Sequence, residues 1–151
     1  MRLKDKTIIV TGSCTGIGKA IAKLCVEEGA KVVINGLEAD LAKETANELG
    51  PDNTVSLVRD LTEDGCPDEL VALAKDTFGG LDGVVNNAAF VTWSDIDSTE
   101  RNYFRRVLEV NTIAPLALIQ AALPELCKSA GSIVNIGSVN AHCGEPTLLA
   151  Y

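Results

Sequence analysis

Between a β-branched stretch and a helical pattern lies a run of small residues, Thr11-Gly12-Ser13-Cys14-Thr15-Gly16-Ile17-Gly18. Glycine lets a backbone approach an anionic group closely, and the first turn of a helix offers N–H groups without partners. A turn of this kind therefore suits the pyrophosphate of a dinucleotide. A tight structural turn without a ligand uses the same residues, and the strand-turn-helix setting is what favours the nucleotide. Metal and disulfide chemistry get little support. The five cysteines, Cys14, Cys25, Cys66, Cys127 and Cys143, contain no pair at CxxC spacing, and the sole histidine, His142, neighbours one of them. Reduced thiols in a cytoplasmic protein are the expectation. By residue type alone, Ser138 reads as a cap or turn residue and Tyr151 as loop packing. Cys14 reads as a small residue tolerated in the turn, and His142 as an exposed loop residue.

Such a turn works only if rigid elements hold it. Thr7 to Thr11 is a continuous β-branched run, the mark of a strand covered on both faces. Ile17, Ala20, Ile21, Leu24 and Cys25 then recur at helical spacing and predict a helix with that face on a sheet, ended by Gly29. A strand over 31–35 is followed by a helix from about Glu38 to Leu49, stopped by Gly50-Pro51. Residues 54–58 read as strand, 68–78 as helix, 83–86 as strand and 132–136 as a fifth strand. A long helical stretch from about Glu100 to Cys127 is interrupted by Pro115 and Pro124. Alternation of this kind with right-handed crossovers predicts a doubly wound, parallel α/β sheet of the Rossmann-like class.

The 151 residues suffice for one domain, 1–151, with a real core. A net charge of -8 argues against nucleic acid and against an anionic membrane surface as partners. The apolar run behind the first residues is too short for a signal peptide. No segment is expected to reach the apolar length of a membrane span.

The spacing TGxxxGxG in Thr11 to Gly18 resembles the glycine motif of the short-chain dehydrogenase/reductase family, and further positions match that family in order. Asp60, after the third strand, stands where the family contacts adenine. Asn86-Asn87-Ala88-Ala89 resembles its NNAG, with Ala89 in place of glycine. Asn111 stands at its helix asparagine, Ser138 at its catalytic serine, and Tyr151, thirteen residues further on, at its catalytic tyrosine.

The resemblance implies an oxidoreductase that moves a hydride between NAD or NADP and a small carbonyl or alcohol substrate. It assigns the dinucleotide to Thr11, Gly12, Ser13, Gly16, Ile17 and Gly18, to Asp60 and Leu61, and to Asn87, Ala88 and Ala89. It makes Tyr151 the general acid/base, Ser138 the residue that holds the substrate oxygen, and Asn111 a support for a proton relay. If the family's glycine uses positive φ at position 89, alanine there costs on the order of 1 kcal/mol.

The choice of cofactor stays open. Gly36 and Leu37 stand where an aspartate or an arginine would select NAD or NADP, and Glu38 either reaches the ribose or is an exposed helix start. Phe90 and Trp93 either line a substrate cleft or pack in a loop. The family lowers the tyrosine pKa with a lysine four residues later, a position beyond Tyr151. The expectation is therefore an N-terminal part of a longer enzyme, weak or inactive by itself, with the fifth strand as a hydrophobic edge. The apolar richness of residues 113–126 reads largely as core burial, and it also suits a homo-oligomer interface in the full-length enzyme as the family uses it. A non-catalytic dinucleotide-binding module is the alternative. It keeps the glycine turn and Asp60 but has no need for Asn111, Ser138 and Tyr151.

Overall fold

Five short apolar runs become five parallel strands in the computed structural model, which describes residues 1–151. They are β1 (Thr7–Val10), β2 (Lys31–Gly36), β3 (Thr54–Val58), β4 (Gly83–Asn86) and β5 (Ser132–Asn135), in the order β3-β2-β1-β4-β5. Ile9 pairs with Val33 on one side of β1 and with Val84 on the other, so the strand ends that lead to the glycine turn and to Asn87 are neighbours.

Side chains alternate across a strand, which divides these runs between two cores. Ile9, Val33 and Val84 face α3 (Cys66–Phe78) and α5 (Ala114–Ser129), where Leu70, Ala74, Leu118, Ala122 and Leu126 close over them. Ile8, Val10, Val32, Ile34 and Val85 face α1 (Gly16–Glu27) and α2 (Ala39–Leu49), with Ala22, Cys25, Ala42 and Leu49 packed on them. Burying each large aliphatic side chain contributes on the order of 1.5–3 kcal/mol. That is why the strands tolerate almost no polar residue at these positions.

Two helices differ from expectation. In α1 the residues turned to the sheet are Gly18, Ala22 and Cys25, while Ile17 and Leu24 are 67% and 52% exposed. The helix is rotated because Gly18 must lie under the carbonyl of Gly12, where no larger residue fits. The stretch read as broken by prolines is one continuous helical run, Arg101–Ser129. It comprises α4 (Arg101–Leu108), a π-turn at Glu109–Ile113, and α5. Pro115 follows the π-turn, whose shifted hydrogen bonds accommodate its missing N–H, and Pro124 sits on the exposed side of α5. By length and composition this helix could cross a membrane, with a mean hydropathy of 1.4 in its most apolar window. Treating the prolines as breaks hid that. Ala114, Leu118, Ala122 and Leu126 of the same helix are buried in the core, and 28% of that window is buried.

The strand β5 forms one edge, and Ile133, Val134 and, just beyond it, Ile136 are 36%, 50% and 42% exposed. Asn86 Nδ2 donates to Asn135 Oδ1 at 2.8 Å and fixes the register of this edge against β4. All five cysteines are free.

Candidate active site and cofactor cleft

The glycine turn is a cradle whose width is set by backbone. Gly12 and Gly16 have φ of +61° and +54°, the left-handed region that L side chains rarely adopt. A Cβ on Gly18 would overlap Gly12 O and stand 2.5 Å from Asn87 Nδ2. No side chain caps the start of α1, so the first N–H groups of that helix open into the turn.

Behind the cradle, polar side chains tie the end of β1 to the end of β4. Thr11 Oγ1 accepts from the backbone N–H groups of Asn87 and Ala88, both at 3.0 Å, and Asn87 Nδ2 donates back to Thr11 O at 2.9 Å. Ser13 Oγ donates to Val10 O and accepts from Asn35 N–H. Thr11 and Ser13 are buried and face away from the opening; they hold the turn rather than line it.

A cleft of about 440 Å³ opens over this frame. Gly12, Gly16, Ile17 and Gly18 form its floor, Asp60 and Leu61 one wall, and Asn87, Ala88 and Ala89 the other. The Asp60 carboxylate accepts from Thr62 N–H and the Thr62 hydroxyl and is paired with the Arg106 guanidinium. Partial burial opposes its charge, but the two Thr62 donors and Arg106 outweigh burial and hold the carboxyl below its ordinary range.

A second cleft, also about 440 Å³, shares Ala88 and Ala89 with the first. Asn111, Ser138 and Tyr151 all line it, although they come from the π-turn, the segment after β5 and the last loop. Asn111 Oδ1 accepts from Phe90 N–H at 2.7 Å, and its Nδ2 donates to Phe90 O at 3.0 Å. The side chain is thereby committed to the backbone that closes the first cleft. Pro115 has no N–H, so the carbonyl of Asn111 lacks the donor an α-helix would give it. Ser138 Oγ accepts from Asn140 N–H at 3.2 Å, capping the short turn Val139–Ala141 and leaving its own O–H to donate elsewhere. The Tyr151 loop is fastened by Ser94 N–H, which donates to Thr147 O, and by Leu149 N–H, which donates to Ser94 O.

The family model for short chain dehydrogenase matches residues 6–151. The chain belongs to that family. An uncharacterised oxidoreductase of Staphylococcus aureus strain MW2 is 40% identical over 139 residues, covering 91% of this chain and 60% of that protein. An NADP-dependent (R)-specific alcohol dehydrogenase of Lentilactobacillus kefiri is 36% identical over 154 residues, covering 99% and 61%. Among solved structures, a short-chain dehydrogenase/reductase of the glucose/ribitol dehydrogenase kind from Brucella melitensis superposes with a TM-score of 0.95 at 29% identity. One of unknown function from Caenorhabditis elegans, solved with cofactor, has a TM-score of 0.91 at 30% identity. This chain is covered completely in both pairings, and those chains to 64% and 59%. The chain thus spans about 60% of the length of the curated relatives it matches.

Within this member of the family, Ala89 is free of the strain expected for it. The non-glycine residues with positive φ are Asp5 and Ala130, so residue 89 uses a backbone any residue adopts. Phe90 lines the first cleft, whereas Trp93 is 75% exposed and lines neither. His142 is exposed.

Sequence reasoning missed Arg106 and Arg59, which both border the first cleft. The signal for Arg106 was Asp60 itself, since a half-buried carboxylate needs a cationic or N–H partner. Nothing in the sequence marked Arg59. Its guanidinium is bound by Glu63 at 2.9 Å, Glu69 at 2.5 Å and Asp64 O at 2.9 Å.

Proposed function

We propose that the protein binds a nicotinamide dinucleotide in the first cleft and a small carbonyl or alcohol substrate in the second, as an oxidoreductase. The observation that carries this reading is the junction of the two clefts at Ala88 and Ala89, with Ser138 and Tyr151 across from it. The first cleft fits the group: its glycine floor admits no Cβ at position 18, and the uncapped start of α1 suits a pyrophosphate. Gly12, Gly16 and Gly18 would hold the pyrophosphate and Asp60 with Leu61 the adenine. When bound, the nicotinamide supplies or accepts the hydride.

The chain supplies the remaining chemistry. The free O–H of Ser138 donates to the substrate oxygen and orients it. The Tyr151 phenol gives that oxygen a proton in reduction and takes one in oxidation. An O–H group donates as it stands, so the acid role is native to the phenol, and the base role needs a cation nearby. Asn111 holds Phe90 and turns its backbone carbonyl toward the proton path. The Lentilactobacillus relative is named for an alcohol and for NADP, which supports this substrate class and this kind of cofactor. Exposed Ile113, Leu116 and Leu123 on the outer side of the long helix support self-association.

Titration with NADH and NADPH, followed by nicotinamide fluorescence, tests the first cleft, and turnover of a panel of ketones and aldehydes tests the second. Tyr151→Phe is expected to bind the dinucleotide as the unaltered protein does and to lose turnover by roughly a hundredfold or more. Failure of both dinucleotides to bind refutes the reading. Unchanged turnover in Tyr151→Phe removes the assigned role of that phenol.

A further inference from the structure

Taking the first cleft as the dinucleotide site proposed above, we infer that its ribose end is built against a 2′-phosphate, with Glu38 as the group that selects NAD over NADP, and that Cys14 keeps position 36 bare by filling the space of a side chain there. In doubly wound sheets the adenosine ribose lies at the end of the second strand, which here is Gly36. A Cβ on Gly36 would overlap Cys14 Sγ and stand 3.2 Å from Cys14 Cβ. Cys14 cannot readily withdraw. It is 7% exposed, and its carbonyl accepts from the buried Thr45 hydroxyl at 3.0 Å. Ser13 N–H, one residue earlier, donates to Asn35 O at 2.9 Å. The wall at this end is therefore a thiol and a bare glycine, followed by Leu37 and Glu38.

Charge decides what such a wall accepts. The cleft has two cations, Arg59 and Arg106. Arg59 is saturated by Glu63, Glu69 and Asp64 O, and Arg106 is held by Asp60 and Thr62. Burial, and then Glu38, push the Cys14 thiol up, so it stays neutral. Glu38 is exposed and forms no ion pair, and it is the one uncompensated charge on the cleft lining. A 2′-phosphate would meet this carboxylate with no guanidinium free to neutralise it, whereas a ribose hydroxyl can donate to it. Selectivity built from a repulsive element of this kind does not require an added contact to NAD.

The test is binding of NADH and NADPH, measured by fluorescence and by calorimetry at low salt, for the protein and three variants. The protein is expected to bind NADH about tenfold or more tightly than NADPH, and Glu38→Gln to narrow that gap roughly fivefold through tighter NADPH binding. Gly36→Asp is expected to weaken NADH binding with Cys14 present, and Cys14→Ala with Gly36→Asp to restore it. Equal or tighter binding of NADPH by the unaltered protein overturns the selectivity. Gly36→Asp binding NADH normally beside Cys14 overturns the role of the thiol. Failure of both dinucleotides to bind overturns the cofactor reading itself, and this inference with it.

Discussion

Gly18→Ala puts one methyl group where the structure has no room for it. Two effects oppose each other. Alanine in a helix is worth about 0.5–1 kcal/mol over glycine, and position 18 is within α1. Against this, the new Cβ would overlap Gly12 O and come within 2.5 Å of Asn87 Nδ2. Neither neighbour is the loose end of a side chain. The first is backbone, and the second is held by Thr11 O at 2.9 Å and Gly12 O at 3.3 Å. Relief means moving the turn or breaking these hydrogen bonds, and overpacking of this order costs about 1–3 kcal/mol. The clash wins, with a net loss of roughly 1–2 kcal/mol. In a domain of this size that lowers Tm by about 2–8 °C. Gly16→Ala is the control, because nothing lies within 4 Å of its Cβ and only its φ of +54° resists. Both variants lose stability, but Gly18→Ala alone distorts the frame shared with Asn87 and should weaken NADH binding at least about tenfold more than Gly16→Ala. Thermal unfolding and NADH titration of both variants measure this. A Gly18→Ala protein with unaltered Tm and affinity refutes the argument that backbone sets the width of the cradle.

Asn111→Ala removes both hydrogen bonds to Phe90 and leaves a backbone N–H and C=O without partners, at a cost of about 1–3 kcal/mol. Melting by circular dichroism should show the loss, together with weaker dinucleotide binding; an unchanged melt means water takes the place of the amide. Asp60 has a lowered folded-state pKa, so its contribution to stability is complete above its unfolded value near 3.9 and fades as pH falls through the folded value. Acid denaturation of Asp60→Asn should therefore lack part of the stability loss seen below about pH 4 in the unaltered protein; identical profiles would dismiss the linkage. Ala130 ends α5 in the left-handed region at φ +51°, where glycine is at ease. Ala130→Gly should gain about 0.5–1 kcal/mol in urea unfolding, and a loss there would mean that the freedom glycine adds to the unfolded chain outweighs backbone strain.

The strands were legible because each is a short β-branched run between turn residues, with a side chain for each core. The face of α1 was not legible. Ile17, Ala20, Ile21 and Leu24 satisfy helical periodicity as well as Gly18, Ala22 and Cys25 do, and a tertiary contact, Gly18 under Gly12 O, chooses between them. Prolines misled in the long helix, since the π-turn accommodates the N–H that Pro115 lacks and the bond that Pro124 loses faces water. The glycine motif located the cleft, but a motif cannot separate residues that face a ligand from those that stand behind. Thr11 and Ser13 are buried and do not line the cleft. Arg59 was out of reach because Glu69 meets it only after the chain has turned into α3.

The segment 87–90 explains why two clefts built by distant parts of the chain keep a fixed separation. On one side, Thr11 Oγ1 takes the N–H groups of Asn87 and Ala88; on the other, Asn111 bonds both polar groups of Phe90. Ala88 and Ala89, the residues common to both clefts, lie between these anchors. Hydride transfer tolerates little error, since a misplacement of about 1 Å costs on the order of a hundredfold in rate. A loop held at one end only would drift by that much. Thr11 is buried away from both clefts, and the Asn111 amide is spent on Phe90, so neither side chain needs to touch a reacting atom to govern the reaction. Their work is to make the wall between the two clefts as stiff as the sheet from which it springs.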